Sequence, residues 1–187
     1  MRFSFSFTQR KRQIMSEIDL KKYIRDIPNY PKPGIIFRDI TPLLKDSHAL
    51  STAIAEITDL FKDKKIDCVV AVEARGFIFG AAVADRLGAG FVPIRKKGKL
   101  PWKTTNVEYQ LEYGTDTVEI HSDAIEKGTR VLMLDDLLAT GGTMAAACDL
   151  IENLGGKIAG VAFLIELTQL NGRDKLKDRD VRTVIKF

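Results

Sequence analysis

The feature that most restricts the fold of this 187-residue chain is a series of short, continuously apolar runs separated by segments with helical spacing. DCVVAVEA (67–74) is followed, after Arg75-Gly76, by FIFGAAVADRL (77–87), whose apolar residues recur at helical intervals. FVPIRK (91–96) is a second strand-like run, and RVLMLDD (130–136) a third, leading into the alanine-rich TMAAACDLIENLG (143–155). IAGVAFLIEL (158–167) and VRTVIKF (181–187) supply a fourth and a fifth. A strand that is apolar on both faces needs cover on both faces, and that is the condition of a parallel sheet between helical layers. The expected class is therefore α/β, with a central, mostly parallel five-stranded sheet flanked by helices. Gly155-Gly156 closes the alanine-rich helix. Upstream, SHALSTAIAEITDLFKDK (47–64) reads as an amphipathic helix capped by Ser47.

One stretch breaks the alternation. KKGKLPWKTTNVEYQLEYG (96–114) is long and polar and contains Gly98 and Pro101. A loop of that length inside a compact domain is usually functional, so residues 98–114 are expected to form a mobile loop between Gly98 and Gly114. The opening MRFSFSFTQRKRQI (1–14) alternates phenylalanine with serine and lacks the apolar core of a signal peptide. It is read as a disordered extension, with a single domain from 15 to 187.

Composition removes several classes of function. The net charge of +4 is mild and the basic residues are scattered, so no nucleic-acid partner is expected. Cys68 and Cys148 have neither CxxC spacing nor histidine partners, which argues against a disulfide framework or a zinc site and for a reducing, cytoplasmic setting. The longest apolar runs, 68–72 and 161–165, are too short to span a bilayer.

The chemistry concentrates in VLMLDDLLATGGT (131–143). An apolar strand ends in adjacent acids, Asp135 and Asp136, and a short turn brings Thr140-Gly141-Gly142-Thr143 to a helix start. Ligands of open parallel sheets bind at the carboxyl ends of strands. Two glycines let backbone N–H groups converge, and the helix terminus adds partial positive charge, which together make a phosphate cradle. No lysine follows the glycines, so this is not a Walker A loop. Adjacent carboxylates repel unless something satisfies them, and vicinal ribose hydroxyls or Mg2+ would do so.

This segment resembles the 5-phosphoribosyl-1-pyrophosphate motif of the type I phosphoribosyltransferases. From Pro28 to Phe187 the chain is similar to the adenine phosphoribosyltransferase family, through PNYPKPGIIFRDITPLL (28–44), EARGFIFG (73–80), IRKKGKLP (94–101), LEYG (111–114) and IELTQLNGRDKL (165–176). The resemblance implies the type I fold, with a small hood built from the N-terminal segment and the mobile loop. It implies transfer of a phosphoribosyl group to adenine, giving AMP and pyrophosphate in purine salvage, by a homodimer that uses Mg2+ carried mainly by substrate near Asp135 and Asp136.

It also implies residue roles. Asp135 and Asp136 hold the ribose hydroxyls and favour a cationic ribose in the transition state. Ala139, Thr140, Gly141, Gly142 and Thr143 cradle the 5-phosphate. Arg75, Arg95, Lys96 and Lys99 neutralise pyrophosphate, while Lys97 faces solvent. Relatives that use 6-oxopurines carry a protonating aspartate where this chain has Ala139, so the acid must come from elsewhere, and Glu112 of LEYG is the family's candidate. Tyr113 helps close the loop, Phe37 and Leu167 sandwich the purine, backbone at Ile36 reads its amino edge, and Arg75 borders the base. The family further implies a cis peptide at Glu73–Ala74. Two alternatives stand beside this: a phosphoribosyltransferase for another base, disfavoured by Ala139 and LEYG, and a non-catalytic sensor of the same ligand. Regulators of that kind usually add a DNA-binding module, for which a 14-residue tail is too short.

Overall fold

The computed structural model describes residues 18–110 and 114–187. The extension expected over 1–14 lies outside the described residues, as do Glu112 and Tyr113. Two compact units, 1–55 and 56–187, each have their own internal contacts.

In the first unit a 3-10 turn, Leu20–Tyr23, precedes an antiparallel hairpin of β1 (Arg25–Pro28) and β2 (Ile36–Asp39). Tyr30–Pro31 in its connection is cis. The hairpin is tied by charge. Arg25 Nε and Nη2 donate to Asp39 Oδ2 at 2.9 and 2.6 Å, and Arg38 pairs with Asp26. Asp39 also accepts the Thr41 N–H at 2.9 Å, which opens α1 (Thr41–Lys45). That backbone donor, with Arg25, outweighs burial and holds the Asp39 carboxyl below the usual range.

Helix α2 spans Ser47–Asp59. Its cap is Asp46 rather than Ser47: Asp46 Oδ1 accepts from His48 and Ala49 N–H at 3.0 and 2.9 Å. A carboxylate satisfies two orphan donors and suits the positive helix end, so it displaces a hydroxyl one position later. The helix stops at Asp59, short of the expected Lys64, and the chain turns through 60–64.

The second unit is built on one sheet with the order β5-β6-β4-β3-β7-β8-β9. β3 (Cys68–Val72), β4 (Gly90–Lys96), β7 (Arg130–Leu138), β8 (Lys157–Glu166) and β9 (Val181–Lys186) are the five parallel strands read from the sequence. The sheet runs two strands further, because β5 (Thr104–Gln110) and β6 (Thr115–His121) form a hairpin that pairs antiparallel to β4 through Lys96 and Arg95. The stretch 98–114, expected to be a long mobile loop, contains the strand Thr104–Gln110. The cause is the alternation of TTNVEYQ: Val107 and Tyr109 share one face and pack on the core beside Val118 and Ile120.

Helix α3 (Arg75–Leu87) covers one face of the sheet and α4 (Gly142–Asn153) the other. On the α4 side, Val70, Met133, Val161 and Phe163 meet Ala147, Cys148, Leu150 and Ile151, all under 2% exposed. Each Val, Leu, Ile, Met or Phe among them contributes about 1.5–3 kcal/mol through burial. On the opposite face α3 approaches closely, since a β-carbon built on Gly80 would stand 2.7 Å from that of Ala71. Any larger residue there would push helix from sheet.

Candidate active site

The chain leaves β3 toward β4 on one side and later enters β7 on the other, so the order reverses between β3 and β7. The carboxyl ends of two strands that diverge in this way leave a crevice between their outgoing loops. Here Glu73, Ala74 and Arg75 follow β3, and Asp135 to Thr143 end β7 and begin α4. A cleft of about 360 Å³ opens there, lined among others by Glu73, Arg75, Lys96, Asp135, Asp136 and Thr143. A smaller hollow of about 80 Å³ adjoins it, bounded by Ala139 to Met144 and sharing Asp135 and Thr143.

The acid pair is less exposed than a strand end suggests: Asp136 is only 4% exposed, and Asp135 is half-buried. Asp135 Oδ1 accepts the Asp136 N–H at 2.8 Å. Burial, then the neighbouring Asp136 charge, pushes the Asp135 carboxyl well above the usual range. Burial raises Asp136 as well, against the opposing charge of Arg75, whose Nε lies 2.9 Å from Asp136 Oδ2. That contact is a Coulomb pair without hydrogen-bond alignment, because Asp136 Oδ2 accepts no aligned donor among the described residues. The pair is a site with unspent acceptor capacity.

Close packing fixes the pair. A β-carbon on Gly76 would stand 2.9 Å from Asp135 Oδ1 and 3.2 Å from the Leu134 carbonyl oxygen, so only glycine lets the start of α3 rest on the end of β7. The peptide at Glu73–Ala74, just before α3, is cis.

The phosphate-cradle segment is a turn, Ala139 to Gly141, running into α4 at Gly142. Gly141 sits at φ +77, and a β-carbon there would overlap the Gly172 carbonyl oxygen. The first N–H groups of a 12-residue helix have no intrahelical acceptor and face this hollow with the positive helix end.

The basic candidates separate. Arg95 Nε donates to Glu73 Oε2 at 2.8 Å and its Nη1 to the Lys99 carbonyl at 3.0 Å, so it ties the two loops together. Lys96, on the cleft wall, pairs with Asp116 at 3.2 Å, and that partner raises its pKa. Lys97 and Lys99 are exposed. The Lys99 and Leu100 N–H groups donate at 3.0 and 3.1 Å to Glu119, which is 4% exposed and anchors the turn after β4. Those donors outweigh burial and lower the Glu119 pKa.

Leu167 follows β8 and is half-buried, its N–H donating to the Leu138 carbonyl at 2.9 Å. Ile36 and Phe37 stand on β2 of the first unit, Phe37 edge-on to Tyr30 at 5.3 Å. Glu73, named from the sequence only for its peptide bond to Ala74, also lines the cleft with Tyr109 and Asp116, which the sequence reading does not name. Tyr109 and Asp116 face each other across the hairpin, with Tyr109 Oη 3.5 Å from Asp116 Oδ2. The two-residue alternation of both strands was the signal that could have found them.

Metal capacity is limited. Among the described residues no group of three or more His, Cys, Asp or Glu is placed to hold an ion. Asp136 Oδ2, to which no donor is aligned among the described residues, is the oxygen of the pair that a cation or a hydroxyl could use.

A phosphoribosyl transferase domain model matches residues 43–187. Adenine phosphoribosyltransferase of Thermotoga neapolitana is 58% identical over 91% of the chain and all of its own length. The crystal structure of adenine phosphoribosyltransferase from Thermoanaerobacter pseudethanolicus superposes with a TM-score of 0.89 at 53% identity, covering 92% of this chain and 99% of its own. That of Saccharomyces cerevisiae, solved with an imino-altritol bisphosphate and adenine, gives 0.84 at 39% identity over 92% and 99%.

Proposed function

This chain belongs to the adenine phosphoribosyltransferase family, and from that premise we propose that it joins adenine to 5-phosphoribosyl-1-pyrophosphate, releasing AMP and pyrophosphate. The observation that carries the reading is the Asp135–Asp136 pair with open acceptor capacity beside a helix-capping glycine turn, at the crevice where the strand order reverses.

The chemistry follows from the geometry. The 5-phosphate rests on the N–H groups at the start of α4, with the Thr140 and Thr143 hydroxyls as further donors. Asp135 and Asp136 accept the ribose hydroxyls. As the bond from C1 of the ribose to pyrophosphate breaks, pyrophosphate departs with the electron pair, and adenine N9 attacks the electron-poor carbon. Burial makes both carboxylates costly to ionise, Asp136 less so because Arg75 lies beside it, and further positive charge would favour the ionised pair. A cationic ribose supplies that charge, so the pair stabilises the transition state more than the ground state. Arg75 and Lys96, on the cleft wall, meet the departing anion; Arg95 and Lys99 border it through the turn after β4. Magnesium, held mainly by substrate oxygens near Asp135 and Asp136, would neutralise charge on the diphosphate.

Base recognition draws on Ile36, Phe37, Arg75, Tyr113 and Leu167, as the family resemblance implies. Ala139 carries no acid or base, and as N9 bonds to C1 of the ribose the proton that adenine must lose passes from N7 to the Glu112 carboxylate. Mixing protein, adenine, the phosphoribosyl diphosphate and Mg2+ is expected to give AMP and pyrophosphate in equal amounts. Chelating the metal is expected to remove most of the rate. Turnover unchanged by chelation would exclude the metal role, and no AMP at all would exclude the reaction.

The assembly is proposed as a homodimer, checked by sedimentation at about twice the 20.9 kDa chain mass. A cytoplasmic setting is supported by two buried free thiols, Cys68 and Cys148, whose pKa values burial pushes to about 11 and about 12. Activity in the soluble fraction of lysed cells is the check. No helix among the described residues is long and apolar enough to cross a membrane.

A further inference from the structure

The turn after β8 touches the phosphate cradle at two points, and one ion pair closes it. Leu167 N–H donates to the Leu138 carbonyl at 2.9 Å, immediately before the cradle begins. Two 3-10 turns, Thr168–Leu170 and Gly172–Leu176, then meet at Asn171, which sits at φ +49. At that corner the chain returns to the cradle. A β-carbon on Gly172 would overlap the Ala139 carbonyl oxygen and stand 2.9 Å from Leu138 Cδ1. A β-carbon on Gly141 would overlap the Gly172 carbonyl and stand 3.3 Å from its Cα. Two backbones are thus in direct contact, with no room for a side chain on either.

The next residue locks this arrangement. Arg173 Nε and Nη2 donate to Glu166 Oε1 and Oε2 at 2.7 and 2.8 Å, and Nη1 donates to the Val181 carbonyl at 2.8 Å. Glu166 is 5% exposed and takes a further hydrogen bond from Thr183 at 2.8 Å. A bidentate guanidinium–carboxylate pair fixes orientation as well as distance, which a lysine cannot reproduce. The pair spans the two ends of the turn, and the turn carries Leu167 at one end and the cradle contact at the other.

We propose that Arg173 and Gly172 are positioning residues for both substrates: the Glu166–Arg173 pair closes the 167–172 turn, and through Gly172 the turn sets the phosphate cradle and Leu167 in one register. The proposal rests on the reading of the cradle and of Leu167 given above. Neither residue touches the reacting atoms. Their effect is on where the 5-phosphate and the base sit relative to each other.

The test compares wild type with Arg173→Ala, Arg173→Lys and Gly172→Ala, measuring the dissociation constant of 5-phosphoribosyl-1-pyrophosphate directly and the KM of adenine in turnover. Arg173→Ala and Gly172→Ala are expected to raise both by about 10- to 100-fold with kcat changed much less, the pattern of lost ground-state positioning. Arg173→Lys is expected to recover only part of the shift. A purely structural role would lower the folded fraction and leave both constants at wild-type values in the folded molecules, and that result overturns the proposal. A shift in Gly172→Ala with none in either Arg173 variant removes the ion pair from the account. If Arg173→Ala does not fold, Arg173→Lys and Gly172→Ala decide the matter alone. Wild type that forms no AMP contradicts the proposed reaction, whereas active wild type with unmoved variants contradicts only the positioning role.

Discussion

Replacing Asp135 by asparagine is expected to lower kcat/KM by about 10- to 1000-fold while leaving thermal stability at neutral pH level or higher, the magnitude of losing one charged contact in a transition state. The two effects have one origin. Burial and the adjacent Asp136 raise the folded-state pKa of Asp135 above its unfolded value. Above that raised pKa the folded protein carries an ionised group that the unfolded chain holds more cheaply, so ionisation costs stability. The cost disappears as pH falls below the folded pKa, and asparagine removes it at every pH. Asparagine Oδ1 can still accept the Asp136 N–H, so the local backbone keeps its bond. Steady-state kinetics beside thermal melts from pH 4 to pH 8 or so would show the wild type gaining on the variant toward acid. A variant that melts much earlier at neutral pH with unchanged kcat/KM would make the pair a structural one.

A larger loss in kcat alone is expected for Glu112→Leu, on the order of 100- to 10,000-fold, the range for removing a general acid or base. Glu112 is outside the described residues, but the strands leading to it are not: Tyr109 and Asp116, on either side, line the cleft. The described acids of the cleft have other partners. Glu73 accepts from Arg95, Asp116 pairs with Lys96, and Asp136 faces Arg75. Asp135 and Asp136 are engaged by the ribose hydroxyls in the proposed reaction. The phosphate contacts lie at 139–143, so binding of the phosphoribosyl diphosphate should survive Glu112→Leu nearly intact. Near-normal kcat would mean that proton transfer at adenine N7 uses another group, and would contradict the role given to Glu112.

What could be read from sequence was what is local. The five parallel strands are short continuous apolar runs, and their helices follow at once, so pattern and topology agree without long-range information. The acid pair and the glycine turn lie within one segment, 131–143, and were legible for the same reason. Where two local signals competed, as at Asp46 and Ser47, geometry chose the carboxylate. The hairpin was obscured because Pro101 and the charged turn before it suggested irregularity, although TTNVEYQ alternates cleanly. Nonlocal partners gave no signal at all. Asp116 for Lys96, Glu119 for the 99–100 amides, and Gly172 against Gly141 are separated by 20 or more residues in most cases and meet only through the sheet. An acid at the end of an apolar run would ordinarily face solvent, yet β7 runs on to Leu138 and α3 rests on its end through Gly76, and Asp136 is buried.

The central claim is that this site makes AMP and selects adenine over 6-oxopurines. Ala139 supplies no proton for a carbonyl base, and a site that reads an amino group leaves a polar atom unpaired when a carbonyl replaces it, a penalty of several kcal/mol. The direct measurement is a single reaction holding adenine, hypoxanthine and guanine at equal concentration with limiting 5-phosphoribosyl-1-pyrophosphate and Mg2+, its nucleotide products resolved and quantified. AMP as essentially the sole nucleotide is the expected result. IMP or GMP in amounts comparable to AMP would contradict it.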